Sequence, residues 1–171
     1  MEENTKKSLN PIINEHSQIL ILGSMPGEIS LALKQYYANP NNHFWRIIFE
    51  IFNHEFENSY EKRVDFILSH KLALWDVLDT CVREGSLDSK IKQGKRNNFE
   101  ALLLDYPNIK CIVLNGTKAN SQFSNKIRQK LNPEIKYIRM PSTSPTPGKN
   151  VLRYAEKLKK WAEILDYISF F

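Results

Sequence analysis

The sequence predicts an α/β fold, a three-layer α/β/α sandwich around a central, mainly parallel four-stranded sheet. Three observations predict it. Apolar runs at 18–22 (QILIL) and 109–114 (IKCIVL) read as buried strands, with a short strand at 72–75 (LALW) and a further strand at 135–139 (IKYIR). Segments with helical spacing separate them, and strands alternating with helices build parallel sheets covered on both sides. The junctions carry turn chemistry: Gly-Ser-Met-Pro-Gly at 23–27, Asn-Gly-Thr at 115–117, and Met-Pro-Ser-Thr-Ser-Pro-Thr-Pro at 140–147.

The elements follow in order. After the first strand and its 23–41 loop, apolar residues at 44, 45, 47, 48, 49, 51 and 52 mark a helix over 42–53 broad enough to lie on a sheet. A second helix over 59–69 presents Val64, Ile67 and Leu68. The strand at 72–75 leads into a turn or short helix through Cys81. The polar stretch 83–97, REGSLDSKIKQGKRN, reads as a surface excursion. A helix near 98–105 stops before Pro107. The strand at 109–114 turns at Asn115-Gly116-Thr117 into a helix reaching about Lys130. Beyond the last strand and the proline loop, Gly148 and Lys149 open a long closing helix with apolar positions 151, 152, 155, 158, 161, 162 and 165. With no linker or repeat in 171 residues, the expectation is a single domain over 1–171 with a flexible N-terminus at 1–10.

Composition narrows the function classes. Hydrophobic residues are 42% and charged residues 25%, as in a soluble globular protein. No apolar run approaches the roughly 20 residues of a membrane span, and MEENTKKSLN has no apolar signal segment, so an intracellular protein without membrane partners is expected. Cys81 and Cys111 sit in apolar surroundings and read as buried free thiols. His16, His43, His54 and His70 are dispersed, and no metal-ligand spacing is present, so no metal is expected. A net charge of +5 permits a nucleic-acid partner without requiring one. The basic residues gather at Lys90, Lys92, Lys95 and Arg96, at Lys126, Arg128 and Lys130, and at Arg153, Lys157, Lys159 and Lys160. Each cluster alone reads as a solvated face.

In parallel sheets the ligand lies beyond the carboxyl ends of the strands. That rule brings the loops 23–41, 75–81 and 140–148 to one cleft. Gly23, Ser24, Met25, Pro26 and Gly27 form either a plain strand-to-helix turn or a tight loop whose backbone donors face a ligand. Tyr36 reads as core. Tyr37 stands equally as core or as a flat face for a base. Asn42 reads as a helix cap, or as an amide fixed by the helix start that orients a water. An amide is no strong base, so it suits hydrolysis of an N-glycosidic bond, where the electrophile is already cationic. His43 is a surface or capping residue, or a phosphate contact. Trp75 has the setting of a core residue. Asp76, ending a buried strand, must find donors or solvent, and would orient a base edge, stabilise a positive sugar or cap a helix. Ser142, Thr143 and Ser144 in a stiff proline frame, with Lys149 behind them, are suited to DNA phosphates or form a structural turn.

Taken together, GSMPG (23–27), QYYANPNNHFW (35–45), ALWDVLDTCVREGSLDSKI (73–91), LNGTKA (114–119) and MPSTSP (140–145) resemble the uracil-DNA glycosylase superfamily, and within it the hypoxanthine-DNA (deoxyinosine) glycosylase branch. The resemblance covers residues 18 to 165. It implies a monofunctional base-excision repair enzyme, needing neither cofactor nor metal, that flips a deaminated nucleotide from double- or single-stranded DNA and hydrolyses the bond from C1′ to the base. It implies a cytoplasmic protein with access to DNA, for which a monomer suffices. By the same resemblance Asn42 is catalytic and Tyr37 stacks on the flipped base. Asp76 lies near a base-recognition position, with Gly23 to Gly27, Trp75 and Asn115 around the base pocket. Ser142 and Ser144 match a DNA-contacting loop. Two departures stand out. Met25 occupies a position often held by a catalytic Asp or Asn, and Met140 replaces a familiar His or Asn, so uracil need not be the substrate. A damaged-DNA-binding protein without catalysis and a nucleoside hydrolase are the alternatives.

Overall fold

The computed structural model describes residues 4–169. Four strands form the central sheet: β2 (Ile19–Gly23), β3 (Leu72–Asp76), β6 (Cys111–Asn115) and β7 (Lys136–Met140). They pair in the order β3-β2-β6-β7, all parallel. This is the mixed α/β architecture that the alternation of apolar runs predicts.

Strand parity divides the core in two. Ile19, Ile21, Leu72, Leu74, Cys111 and Val113 face helices α2 (Phe44–Ile51), α3 (Tyr60–Ser69) and α7 (Tyr154–Trp161). Leu20, Leu22, Ala73, Ile112 and Leu114 face α4 (Phe99–Asp105), α5 (Thr117–Gln122) and α6 (Asn125–Arg128). A short helix α1 (Glu28–Leu33) follows the first loop. Both thiols are buried and free, and burial pushes that of Cys111 up to about 12. No helix among the described residues is long and apolar enough to cross a membrane.

A second sheet departs from the expectation. The stretch through Cys81 is a strand, β4 (Leu78–Val82), flanked antiparallel by β1 (Thr5–Lys7) and β5 (Lys92–Arg96). Thus part of the expected flexible end, 1–10, is paired into a sheet from residue 5, while residues 1–3 lie outside the described residues. Likewise the polar excursion 83–97 contains β5 and a 3₁₀ turn at Asp88–Lys90. Neither partner strand has an apolar signature: β5, KQGKR, is exposed throughout, as a lysine-rich edge strand can be, and its register rests on backbone bonds.

Two helices are shorter than their periodicity suggests. The segment expected as one helix to Lys130 breaks at Phe123, which turns inward against Phe99 and Tyr137, and Ser124 starts α6 with extended backbone. The closing helix begins at Tyr154, because 148–153 bends through a turn and leaves Val151 exposed. Its last expected residues form a 3₁₀ segment, Ala162–Tyr167.

Ile21 is fully buried at the centre of the sheet, so Ile21→Ala should destabilise the protein by about 2–5 kcal/mol in urea unfolding. Leu104→Ser, at a position 83% exposed, should change stability by less than about 0.5 kcal/mol.

Candidate active site at the carboxyl edge of the sheet

The GSMPG loop is held from two sides. The carbonyls of Gly23 and Ser24 accept the amides of Val77 (2.8 Å) and Leu78 (3.1 Å), extending the parallel pairing beyond the sheet. From the hairpin between β4 and β5, the buried Arg83 guanidinium donates to the Pro26 carbonyl, and Ser86 Oγ accepts the Glu28 amide at 2.8 Å. Ser24 Oγ donates to Asp88 Oδ1 at 2.6 Å. Met25, 6% exposed, packs into the core beside α4 and offers the cleft no polar group.

Gly23 is required by close approach. A Cβ there would lie 2.6 Å from Asp76 Oδ1 and 3.4 Å from the Tyr37 hydroxyl. Asp76 is 4% exposed and has one side-chain donor, Ser8 Oγ at 3.4 Å. Burial pushes its carboxyl up to about 7; Ser8 and Arg83 oppose the rise and Asp88 adds to it. Tyr37 adopts φ +53°, a left-handed conformation that costs a tyrosine on the order of 1–3 kcal/mol. That geometry lays its ring on Phe44, with centroids 4.0 Å apart and planes 23° apart, and aims the hydroxyl at Asn115. Burial raises the Tyr37 pKa, so the phenol stays neutral.

Asn115 joins this corner to the proline loop. Its Nδ2 donates to Tyr37 Oη (3.2 Å) and Thr143 Oγ1 (3.0 Å), and its Oδ1 accepts the Thr143 amide (3.0 Å). The Thr143 carbonyl accepts the His43 amide at 3.0 Å, tying the loop to the start of α2. Asn42 lies at that start, half-buried, with Oδ1 accepting the Phe44 amide at 2.9 Å. The N-cap itself is His43, which makes no side-chain cap bond. Asn42, one residue earlier, is not the cap, but its bond to the Phe44 amide fixes its side chain where it lines the cleft. Trp161 Nε1 and Lys157 Nζ donate to the carbonyls of Pro141 and Ser144, completing the loop's support.

The resulting cleft encloses about 930 Å³. It brings together the five residues 23–27 with Tyr37, Asn42, Asp76, Asn115, Ser142, Thr143 and Ser144. Two expected residues stand apart. Trp75 faces the opposite side of the sheet, against Phe99 at 5.4 Å, because adjacent strand residues point to opposite faces and Asp76 takes the cleft. Lys149 is exposed outside the lining. Thr143 is only 1% exposed, so its hydroxyl serves the loop's architecture while Ser142 is exposed. His43 points inward, its ring edge-on to Tyr154 at 5.2 Å, and burial, Lys157 and Arg46 lower its pKa. Of the three basic clusters, only Lys157 and Lys160 reach the cleft, joined by Lys118 and Arg139.

Sequence reasoning missed Ser86 and Asp88, which form a wall of the cleft. No periodicity marks them; their one signal was membership of the segment 73–91 that carried the family resemblance. A second cavity of about 690 Å³ opens on the far side of Asn42, along α2, and shares Tyr37, Asn39 and Asn42 with the first. Among the described residues no three His, Cys, Asp or Glu side chains form a group able to hold a metal.

A doubly covered parallel sheet, with a cleft closed over its carboxyl edge by two motif loops, defines the class. The model of the uracil DNA glycosylase superfamily matches residues 11–167, and the chain belongs to that superfamily. It is 39% identical over 115 residues to a protein of Methanosarcina barkeri named hypoxanthine DNA glycosylase, covering 67% of this chain and 73% of that one. A protein of the same name from Methanosarcina acetivorans is 37% identical over the same shares. A solution NMR structure from Methanosarcina acetivorans, described as a candidate uracil DNA glycosylase, superposes with a TM-score of 0.80 at 30% identity, covering 94% of this chain and 96% of that one.

The carboxyl of Asp76 binds its proton more tightly in the fold than in the unfolded chain. Its contribution is therefore full at low pH and is lost as pH rises through about 7. The stability of the wild type relative to Asp76→Asn should fall by on the order of 4 kcal/mol between pH 4 and pH 8 and flatten above that, read from urea unfolding at each pH. A difference independent of pH would place the carboxyl's titration in the ordinary acidic range.

Proposed function

We propose that this chain is a monofunctional DNA glycosylase that removes deaminated bases, hypoxanthine above all, by hydrolysing the bond between C1′ of deoxyinosine and the base. The observation that carries the proposal is the meeting of Asn42, Tyr37 and Asp76 in one cleft, reached from the start of α2, the loop after α1 and the end of β3. The relatives named hypoxanthine DNA glycosylase support the choice of base.

In this reading the nucleotide leaves the duplex and its base enters beside Tyr37. The lactam edge of hypoxanthine offers an N–H donor and a carbonyl acceptor side by side. A carboxyl titrating near 7 is substantially protonated at neutral pH and both donates and accepts, so Asp76 pairs with that edge. The C1′–N9 bond breaks with its electron pair passing to the base. The second lone pair of Asn42 Oδ1, whose first is held by the Phe44 amide, accepts a hydrogen bond from the attacking water. The water oxygen bonds to C1′, its proton passes to solvent, and the departing base takes up a proton at nitrogen. Ser142 and Ser144, with Lys157 and Lys160 behind them, hold the flanking phosphates of double- or single-stranded DNA. No step calls for a second subunit.

One observation favours a second reading. Met25 and Met140 are both buried, so neither motif loop supplies a polar group at those positions, as expected of a damaged-DNA-binding protein that has lost catalysis. A single assay separates the two. Free hypoxanthine should be released from an oligonucleotide with one deoxyinosine. Asn42→Ala should slow release about 100-fold or more. Loss of the bond to the Phe44 amide should also cost about 0.5–1.5 kcal/mol of stability, so the variant is checked for folding at the assay temperature. Salt-sensitive binding with no release of any deaminated base, at enzyme in excess, would leave the binding protein.

A further inference from the structure

Departure of the base leaves positive charge on the deoxyribose, and the cleft must supply negative charge where it develops. Three carboxylates line the cleft: Glu28, Asp76 and Asp88. Glu28 is exposed in the first turn of α1, and no side-chain bond holds its carboxylate among the described contacts. Asp76 is fully enclosed, and burial favours its neutral form. Asp88 differs from both. Its Oδ1 accepts the Ser24 hydroxyl at 2.6 Å, which fixes the carboxylate against the GSMPG loop. The hairpin that carries it is anchored twice more, by Arg83 on the Pro26 carbonyl and by Ser86 on the Glu28 amide. It lies near enough to Asp76 and Tyr37 to act on both electrostatically.

A carboxylate on a surface that receives DNA repels phosphates, which weakens ground-state binding. Charge placed there helps the reaction only if it meets a cation formed later, because catalysis depends on binding the transition state more strongly than the substrate. We propose that Asp88 is a catalytic residue: its carboxylate, held by Ser24, stabilises the cationic sugar as the base departs. This rests on the glycosylase reading above. Asp88 takes and gives no proton. The bond electrons leave with the base and the water's proton goes to solvent, while the carboxylate supplies field alone.

The test compares two oligonucleotides that mimic the sugar after base loss: one with a pyrrolidine, cationic at neutral pH, the other with a neutral tetrahydrofuran. The wild type should bind the pyrrolidine form about tenfold or more tightly. Asp88→Asn keeps an acceptor for Ser24, so the loop stays in place. It should abolish that preference, while its affinity for the neutral form stays the same or rises. Ser24→Ala, which frees the carboxylate, should reduce the preference in part, and Asp76→Asn should retain it. With deoxyinosine DNA, Asp88→Asn should lower kcat about 10–100-fold without raising KM. An Asp88→Asn protein that keeps the wild-type preference overturns the proposal, as does a wild type with no preference. Because the preference is read without any base present, it stands or falls independently of whether hypoxanthine is the base released.

Discussion

One side-chain amide governs the geometry of the cleft. Asn115 ends β6 and satisfies, with a single group, the phenol of Tyr37 from the first loop and both the amide and hydroxyl of Thr143 from the last. These partners are 78 and 28 residues away in sequence. In a half-buried place such bonds are costly to leave unmade, on the order of 1–3 kcal/mol for each orphaned group, so the loops cannot drift apart without penalty. The left-handed backbone at Tyr37 brings its hydroxyl to that amide, and the missing Cβ at Gly23 leaves room for Asp76 Oδ1 beside the same hydroxyl.

Around that anchor the protein separates two carboxyl groups by environment. Asp76 lies at the floor, enclosed and inclined to keep its proton. Asp88 lies on the hairpin wall, open to solvent and braced by a hydroxyl. Two acids in one cleft with different surroundings have different uses. In the proposed reaction the first pairs with the lactam edge and the second answers the cationic sugar. The buried methionines at 25 and 140 are apolar positions within the two motif loops, whose polar groups at the cleft are Ser24, Ser142, Thr143 and Ser144.

How much of this was legible depended on whether a residue's role left a pattern. Of the four parallel strands, β2, β3 and β6 were readable because covered faces require apolar runs, while the edge strand β7, with Lys136 and Arg139 exposed, was marked more by its place before the proline loop. The place of Asn42 at a helix start was readable from Pro40-Asn41-Asn42, whereas Tyr37 stood equally as core or cleft, and the roles expected of both came from the family resemblance. The second sheet was not readable, since β1 and β5 are short, polar and held by backbone bonds. Trp75 shows a signal that was present and went unused: neighbours on a strand face opposite ways, so Trp75 and Asp76 could not both reach the base pocket. Thr143, between two serines in the same loop, follows a similar logic, turned inward to Asn115 while its neighbours face out. Asp88 had no periodic signature at all. Its placement depends on a hairpin whose pairing only the folded chain displays.

In the proposed reaction this cleft receives a flipped deaminated nucleotide with its sugar beside Asn42. The most direct measurement is a crystal structure with duplex DNA carrying 2′-fluoro-deoxyinosine, which resists cleavage of the bond to the base. Hypoxanthine should be extruded from the stack, its ring against Tyr37, its lactam edge on Asp76 and C1′ within one water of Asn42. A base still stacked in the duplex, or seated in the second cavity along α2, would contradict it.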